Sequence, residues 1–434
     1  MKDTYTKIKN LINSGEFDKA NILLLPLLKK NPDDFQLVQS QFLIFLSKND
    51  EINALKSLYK MSELKEHYVV YNNIGNLEKN FGNYEAAIEN FEKAIQLEDN
   101  KPEIFYNLAN VYSKINQRDK SIIFFSKALS LNPQYSAALN NIAAEYLKLE
   151  DIENARDNIS KSLIIDSKSV EAILNSVLIS IFEKNYNEAI ILLSKAYNDG
   201  ITDERIIFYL VILNSYLGKD DDLDNLLSDL SEKNSLYIKL SAWKKLHSRK
   251  SSNFSLSKFR NDIISLGVEM SRKNGLFLEF GVAEGYSINL IARKIDNNIH
   301  GFDSFEGLDE EWNGQKIKAF SLDGKIPKVE DNVIIHKGYF DKTVEPFFNE
   351  NSEKISFLHI DCDLYSSTQT VLNSCIQNLT AGSIVLFDEM IGYDGFEDHE
   401  FKAFNEFIDK NKINYECICM NYLTGQVLIK ILTL

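Results

Sequence analysis

Leu278-Glu279-Phe280-Gly281-Val282-Ala283-Glu284-Gly285-Tyr286-Ser287 decides the fold of the second half of this chain. It reads as a short apolar strand that breaks at a glycine loop and opens into a helix. Gly281 and Gly285 let the backbone come close to a ligand at the strand's carboxyl end. The spacing is G-x-x-x-G and not G-x-G-x-x-G, so a pyrophosphate-binding dinucleotide site is the poorer reading. Downstream, β-rich runs alternate with helical segments, the pattern of a parallel sheet covered on both faces. The predicted strands are Leu276–Phe280, Asn298–Phe302, Asn332–Lys337, Ser356–Ile360 and Ser383–Phe387, closed by Tyr415–Asn421 and Gln426–Leu432 around a turn at Gly425.

Each strand end carries chemistry. The second is followed by Asp303-Ser304-Phe305-Glu306-Gly307-Leu308. An acid about 20 residues past the glycine loop accepts hydrogen bonds from both hydroxyls of a ribose, and Asp303 takes that role. After the third strand, Gly338 precedes Tyr339 and Phe340, which either stack on a ligand or, as is commoner, fill core. The fourth and fifth strands end in Asp361-Cys362-Asp363 and Asp388-Glu389. Four carboxylates facing one crevice repel one another and raise their pKa values. A hard divalent cation held by oxygens resolves the crowding; ordinary caps and salt bridges are the alternative. His359 lies inside a predicted strand and reads as a satisfied core residue, whereas His399 sits in the loop after the fifth strand.

The first half repeats itself. In Gly82-Asn83-Tyr84-Glu85-Ala86-Ala87-Ile88, followed by Phe91 and Ala94, small and aromatic residues alternate at helix spacing. Taking Ala87 as anchor, the same position is filled by Ala20, Ala54, Ser121, Ala155 and Ala189, in steps of 33 or 34 residues. A small residue is needed where two helices of a hairpin cross most closely. Phe91 and Phe125 fill the wedge between helices, and Pro32 and Pro133 end theirs. Over about residues 1–203 this resembles the tetratricopeptide family; a degenerate seventh unit extends it to about 237, where Asp220 to Asp229 form a polar cap. The resemblance implies an all-α superhelix with a concave groove. Asn73, Asn107, Asn141 and Asn175 recur at one position of four successive units. They either pair with the backbone of a bound peptide or are simply common there.

Composition excludes other classes. The chain has 434 residues with 63 acidic and 48 basic side chains, net −15, shared as −8 over residues 1–240 and −7 over the rest. Neither part is a basic arm, so nucleic acid and anionic membrane are not expected partners. No apolar run is long enough to span a bilayer. The opening residues lack a signal-peptide pattern, and four cysteines, all late and without a C-x-x-C pair, suit reduced thiols. The expected location is therefore cytoplasmic. The basic, serine-rich stretch from Lys244 to Ser252 reads as a linker.

The second half, with its closing antiparallel hairpin, resembles the class I S-adenosylmethionine (SAM)-dependent methyltransferases. E-F-G-V-x-x-G, D-S-F-E-G-L, K-G-x-F, D-x-D-L-Y-x-S-T and a final D-E occur in order over about residues 275–410. That set resembles the macrocin and mycinamicin type of sugar O-methyltransferase found in bacteria. The resemblance implies a Rossmann-like α/β domain with a seven-stranded sheet, and SAM as cofactor. Its site would be built from Glu279, Gly281, Gly285, Tyr286, Ser287, Asp303 and Ser304, with Gly338, Tyr339 and Phe340 around the adenine. It implies Mg²⁺ on Asp361, Asp388 and Glu389, although the family usually shows two aspartates where this chain has Asp388-Glu389, and Asp361 and Asp363 compete for the ligand's place. The proton-accepting base is Asp361 or Asp363, with His399 a second candidate. Asp309 to Lys328, with Trp312, Phe320 and Pro327, forms a lid.

The expected organisation is thus a repeat array over 1–237, a linker and helical lead-in over 238–274, and a methyltransferase domain over 275–434. The acceptor would be a sugar hydroxyl of a glycan, natural product or glycosylated protein, with a protein or peptide partner in the repeat groove. The rivals are an adaptor whose methyltransferase-like domain is non-catalytic, and a protein methyltransferase.

Overall fold

The six small residues of the repeat column, Ala20, Ala54, Ala87, Ser121, Ala155 and Ala189, are all fully buried. The first five lie on the second helix of a pair, as in Tyr68–Asn80 with Tyr84–Leu97 and Pro102–Lys114 with Arg118–Leu131, and Ala189 lies on the helix Tyr186–Asn198. The wedge works as expected: Phe91 is fully buried and sits so close to Gly75 that a Cβ there would lie 2.8 Å from its ring. Pro32 and Pro133 fall just past the helices Phe17–Lys30 and Arg118–Leu131. Pro26 does not interrupt its helix, which runs on to Lys30. The computed structural model describes residues 2–257, 259–315, 317–421 and 425–434. Its two compact units are Met1–Ile179 and Ser180–Leu434, so the last repeat helices group with the sheet. The boundaries expected at 237 and 274 follow the change of pattern in the sequence.

Within the second unit the strands are β1 (Lys250–Leu256), β2 (Leu276–Phe280), β3 (Ile299–Asp303), β4 (Val333–Lys337), β5 (Ile355–Ile360), β6 (Ile384–Phe387), β7 (Asn414–Asn421) and β8 (Gln426–Thr433). They form one sheet in the order β1-β7-β8-β6-β5-β2-β3-β4, with β8 antiparallel to both neighbours. The seven expected strands are present and an eighth is added. β1 comes from the stretch expected to be a linker and pairs parallel with β7. As an edge strand it needs little more than backbone pairing, so Ser251, Ser252 and Asn253 left no apolar alternation to read. The helix Arg260–Met270 that follows covers one face, where Gly267 lets it approach Phe357 and Leu428. On the other face, Phe208, Val211, Leu240 and Trp243 share a core with Leu278, Phe280 and Phe387.

Chain direction places the site. β2 is flanked by β3 on one side and β5 on the other, all parallel, so the connections leave β2 in opposite directions across the sheet. A crevice opens at the carboxyl ends at such a switch point. Gly281 and Asp361, the residues after β2 and β5, lie on its two sides.

Candidate functional site

Gly281 holds the two sides of the crevice together. Its φ is +91°, and a Cβ on it would lie 1.8 Å from the Asp361 carbonyl oxygen. Gly285, at φ +83°, is required by conformation alone: a Cβ there would come no closer than 3.4 Å to any neighbour, the nearest atom being Asn289 Nδ2. The loop between them is tied to β3: Val282 and Ala283 N–H groups donate to Asp303 Oδ2, each at 2.8 Å, and Phe305 N–H donates to Oδ1 at 2.7 Å. Two carboxylate oxygens offer about four acceptor directions, so three backbone bonds leave room for a ribose hydroxyl. Ser304 accepts from the Glu306 N–H at 3.1 Å and shapes the same turn.

The other expected cofactor residues divide. Tyr286 and Tyr339 are well exposed, and the Tyr286 hydroxyl is bonded to Asn261. Phe340 instead packs edge-on against Phe280 at 5.7 Å and belongs to the core. Gly338, at φ +146°, donates its N–H to the Asp303 carbonyl at 2.9 Å. Glu279 and Ser287 point inward. Glu279 is fully buried, accepting from Ser287 Oγ at 3.0 Å and lying 3.0 Å from His359 Nδ1. Its oxygens therefore serve the interior and not the loop surface.

The carboxylates meet as expected, with a partner the sequence did not announce. Arg260, first residue of its helix, donates from Nε to Asp388 Oδ1 at 3.0 Å and from Nη2 to Asp361 Oδ2 at 2.8 Å, and lies 2.6 Å from Asp388 Oδ2. Asp388 also accepts from Gln426 Nε2 at 2.6 Å, and His359 Nε2 stands 3.4 Å from it. Burial opposes the charge on Asp388, yet Arg260 and His359 hold its pKa below the usual range. Burial likewise opposes a charge on His359, but hydrogen bonds to Asp388 and Glu279 raise it to about 10. His359 is satisfied, as expected, and its two acidic partners favour its charged form.

In the remaining acids burial outweighs compensation, although Arg260 lowers each of them. Burial, reinforced by Asp388, pushes Asp361 up to about 7. Glu389 is pushed to about 8 by burial and by Asp388 and Asp361. Asp363, nearly buried and at φ +59°, is driven well above the carboxylate range by burial and by Asp361. Beneath them lies Glu400, which sequence reasoning missed. It is fully buried, its Oε1 accepts the Cys362 N–H at 3.2 Å, and its Oε2 has no partner among the described residues. His399 is half-buried beside it, 6.3 Å from the Tyr393 ring, with Nδ1 unpartnered among the described residues. In the expected lid, Trp312 is buried and donates from Nε1 to the Tyr393 hydroxyl at 3.3 Å, whereas Phe320 is exposed; Lys316 lies outside the described residues.

His359, Asp361 and Asp388 offer ligand atoms within 4.8 Å of one another. Both ring nitrogens of His359 are already engaged, so it is a poor ligand. The oxygen donors left on Asp361 and Asp388, with Glu389 next in sequence to Asp388, are of the kind a hard divalent cation takes. Asp361 and Asp388 are held by Arg260.

In the first unit the asparagines bond along the array. Asn107 Nδ2 donates to Asn72 Oδ1 at 3.1 Å, Asn141 to Asn110 at 2.9 Å and to the Tyr106 hydroxyl at 3.2 Å, and Asn175 to Asn140 at 2.8 Å. Asn73 is half-buried. Three of the four thus tie neighbouring first helices together, each with part of its amide left over.

Comparison with known proteins agrees with this architecture. The family described as "Methyltransferase domain" matches residues 278–390, and those described as "TPR repeat" and "Tetratricopeptide repeat" match 75–116 and 102–135. The chain therefore carries a methyltransferase domain preceded by tetratricopeptide repeats. No curated protein matches it. Among solved structures, MamA is 22% identical over 38% of this chain and 96% of its own, with TM-score 0.36. A tetratricopeptide repeat protein from Parabacteroides merdae is 20% identical over 49% and 87%, with TM-score 0.43. YrrB, described as a TPR protein with an unusual peptide-binding site, is 15% identical over 40% and 90%, with TM-score 0.37. No helix among the described residues is long and apolar enough to cross a membrane.

Proposed function

We propose that the second unit is a SAM-dependent O-methyltransferase acting on a sugar hydroxyl of a glycan, natural product or glycosylated protein, and that the repeats recruit a protein or peptide partner. One observation carries the reading: at the switch point of the sheet, a glycine loop tied down by Asp303 faces a crevice lined by Asp361, Asp363, Asp388 and Glu389. SAM supplies an activated methyl group, so the protein's task is to hold an acceptor oxygen in line and receive its proton. Asp303 accepts a ribose hydroxyl, Gly281 and Gly285 clear the way for the cofactor, and Tyr339 offers a face for the adenine. Asp361, pushed up to about 7, has the affinity for a proton that a general base needs near neutrality. Asp363, which burial and Asp361 drive well above the carboxylate range, is the other candidate base. Where a divalent cation displaced Arg260, Asp361, Asp388 and Glu389 would hold it and it would supply positive charge beside the acceptor oxygen, with Asp363 then the base.

Calorimetric binding of S-adenosylhomocysteine, the demethylated product, tests this. Binding to the wild type that falls about a hundredfold in Asp303→Ala, the equivalent of about 3 kcal/mol, is the expected result. No binding to the wild type would replace the enzyme with an adaptor. Comparing the isolated Ser180–Leu434 unit with the full chain on a free sugar then separates sugar from protein acceptors.

A further inference from the structure

The side chain at the centre of the carboxylate crevice comes from outside the matched methyltransferase segment. Arg260 precedes residue 278 and belongs to the stretch that reads as a linker. Its guanidinium grips both oxygens of Asp388 and one oxygen of Asp361. Planar, forked and permanently charged, it is suited to spanning two carboxylates, which a lysine's point charge is not. The helix that carries it is fixed from two sides: Phe259 stacks obliquely on Phe182 at 4.8 Å, and Gly267 is wedged against Phe357 and Leu428. The Arg260 side chain is nonetheless 38% exposed, so it has a path outward.

Asp361 and Asp388 are also the two carboxylates of the potential cation cluster, whose third member, His359, has no free nitrogen. We propose that Arg260 is the resident cation of this crevice: guanidinium and divalent metal exclude one another, and Arg260 sets how tightly the protein binds metal. Arg260 is a positioning residue here, since it acts through the two aspartates that it fixes. The inference rests on reading the crevice as the methyl-transfer site, but its test does not use turnover.

Mn²⁺ uptake by the full chain is measured by the electron paramagnetic resonance of free Mn²⁺ in wild type, Arg260→Met and Arg260→Lys. S-adenosylhomocysteine calorimetry is run on the same samples. The wild type is expected to bind Mn²⁺ weakly. Arg260→Met is expected to bind it at least tenfold more tightly, with the gain removed by adding Asp388→Asn, and Arg260→Lys is expected to fall between. Micromolar Mn²⁺ binding to the wild type, or equal or weaker binding to both variants, overturns the proposal. If Arg260→Met does not fold, the lysine variant and the wild-type affinity decide alone. Absence of S-adenosylhomocysteine binding in the wild type would instead defeat the methyltransferase reading, leaving the metal result to stand by itself.

Discussion

Replacing Gly281 by Ala puts the switch point itself under load. The new methyl would sit 1.8 Å from the Asp361 carbonyl oxygen, more than an ångström inside the closest approach that real Cβ atoms make. That oxygen belongs to backbone whose N–H is bonded to the Phe280 carbonyl at 2.8 Å, so neither side yields without opening the β2–β5 contact. Holding alanine at φ +91° costs about 1–2 kcal/mol, and forced repacking of buried structure adds about 1–3 kcal/mol. About 3 kcal/mol, in a unit of this size, lowers Tm by about 6–12 °C. Gly285→Ala is the control, because at φ +83° it meets nothing closer than 3.4 Å and carries only the conformational cost, about 1–2 kcal/mol. Differential scanning calorimetry of both variants, with S-adenosylhomocysteine titrations, reads the difference. Equal Tm values for the two, or full ligand binding by Gly281→Ala, would refute the reasoning.

Three further outcomes follow from the same geometry. His359, raised from 6.5 to about 10, gives stability that is fully present below pH 6.5 and lost as pH rises through 10; ¹⁵N spectra of the histidines should show one imidazolium persisting at pH 8, and its absence would refute the buried charge. Asn141→Ala removes bonds to Asn110 and Tyr106 and should cost the repeat array about 1 kcal/mol in urea unfolding. Trp312→Ala frees the segment after β3 from Tyr393, so limited proteolysis should cut there sooner while S-adenosylhomocysteine affinity is unchanged.

What the sequence made legible depended on how each residue is held. The repeat column was readable because a close helix crossing admits only small side chains, so Ala20 to Ala189 record the geometry one by one. Strands β2, β5 and β6 were readable because central strands are buried along their whole length, and edge strand β4 because Val333, Ile334 and Ile335 lead it. β1 was not, since an edge strand of Lys250, Ser251, Ser252 and Asn253 carries backbone pairing but little pattern. At the site, acids at strand ends could be placed, but not the direction in which they point. Glu279 lies on a strand whose every residue is buried, and this turned it to His359 rather than to the loop. Arg260 and Glu400 carry no motif at all; only the fold brings them to Asp361 and Cys362.

Glu400 offers the sharpest test of the electrostatics there. It is fully buried, and burial together with Asp363 and Asp361 drives its pKa well above 4.5. The unfolded chain therefore gives up this proton first, and the native state loses stability as pH rises above that value. Glutamine mimics the protonated acid: its carbonyl can accept the Cys362 N–H, and its amide lies where Oε2 has no partner among the described residues. Glu400→Gln should thus match the wild type near pH 4 and exceed it increasingly toward pH 8 in urea unfolding. Glu400→Ala should fall below both at every pH, because it leaves the Cys362 N–H buried without an acceptor and releases the turn that keeps Asp363 at φ +59°. A glutamine variant that weakens as pH rises, in step with the wild type, would mean that Glu400 is ionised in the folded protein and that the crevice has a source of positive charge beyond Arg260 and His359.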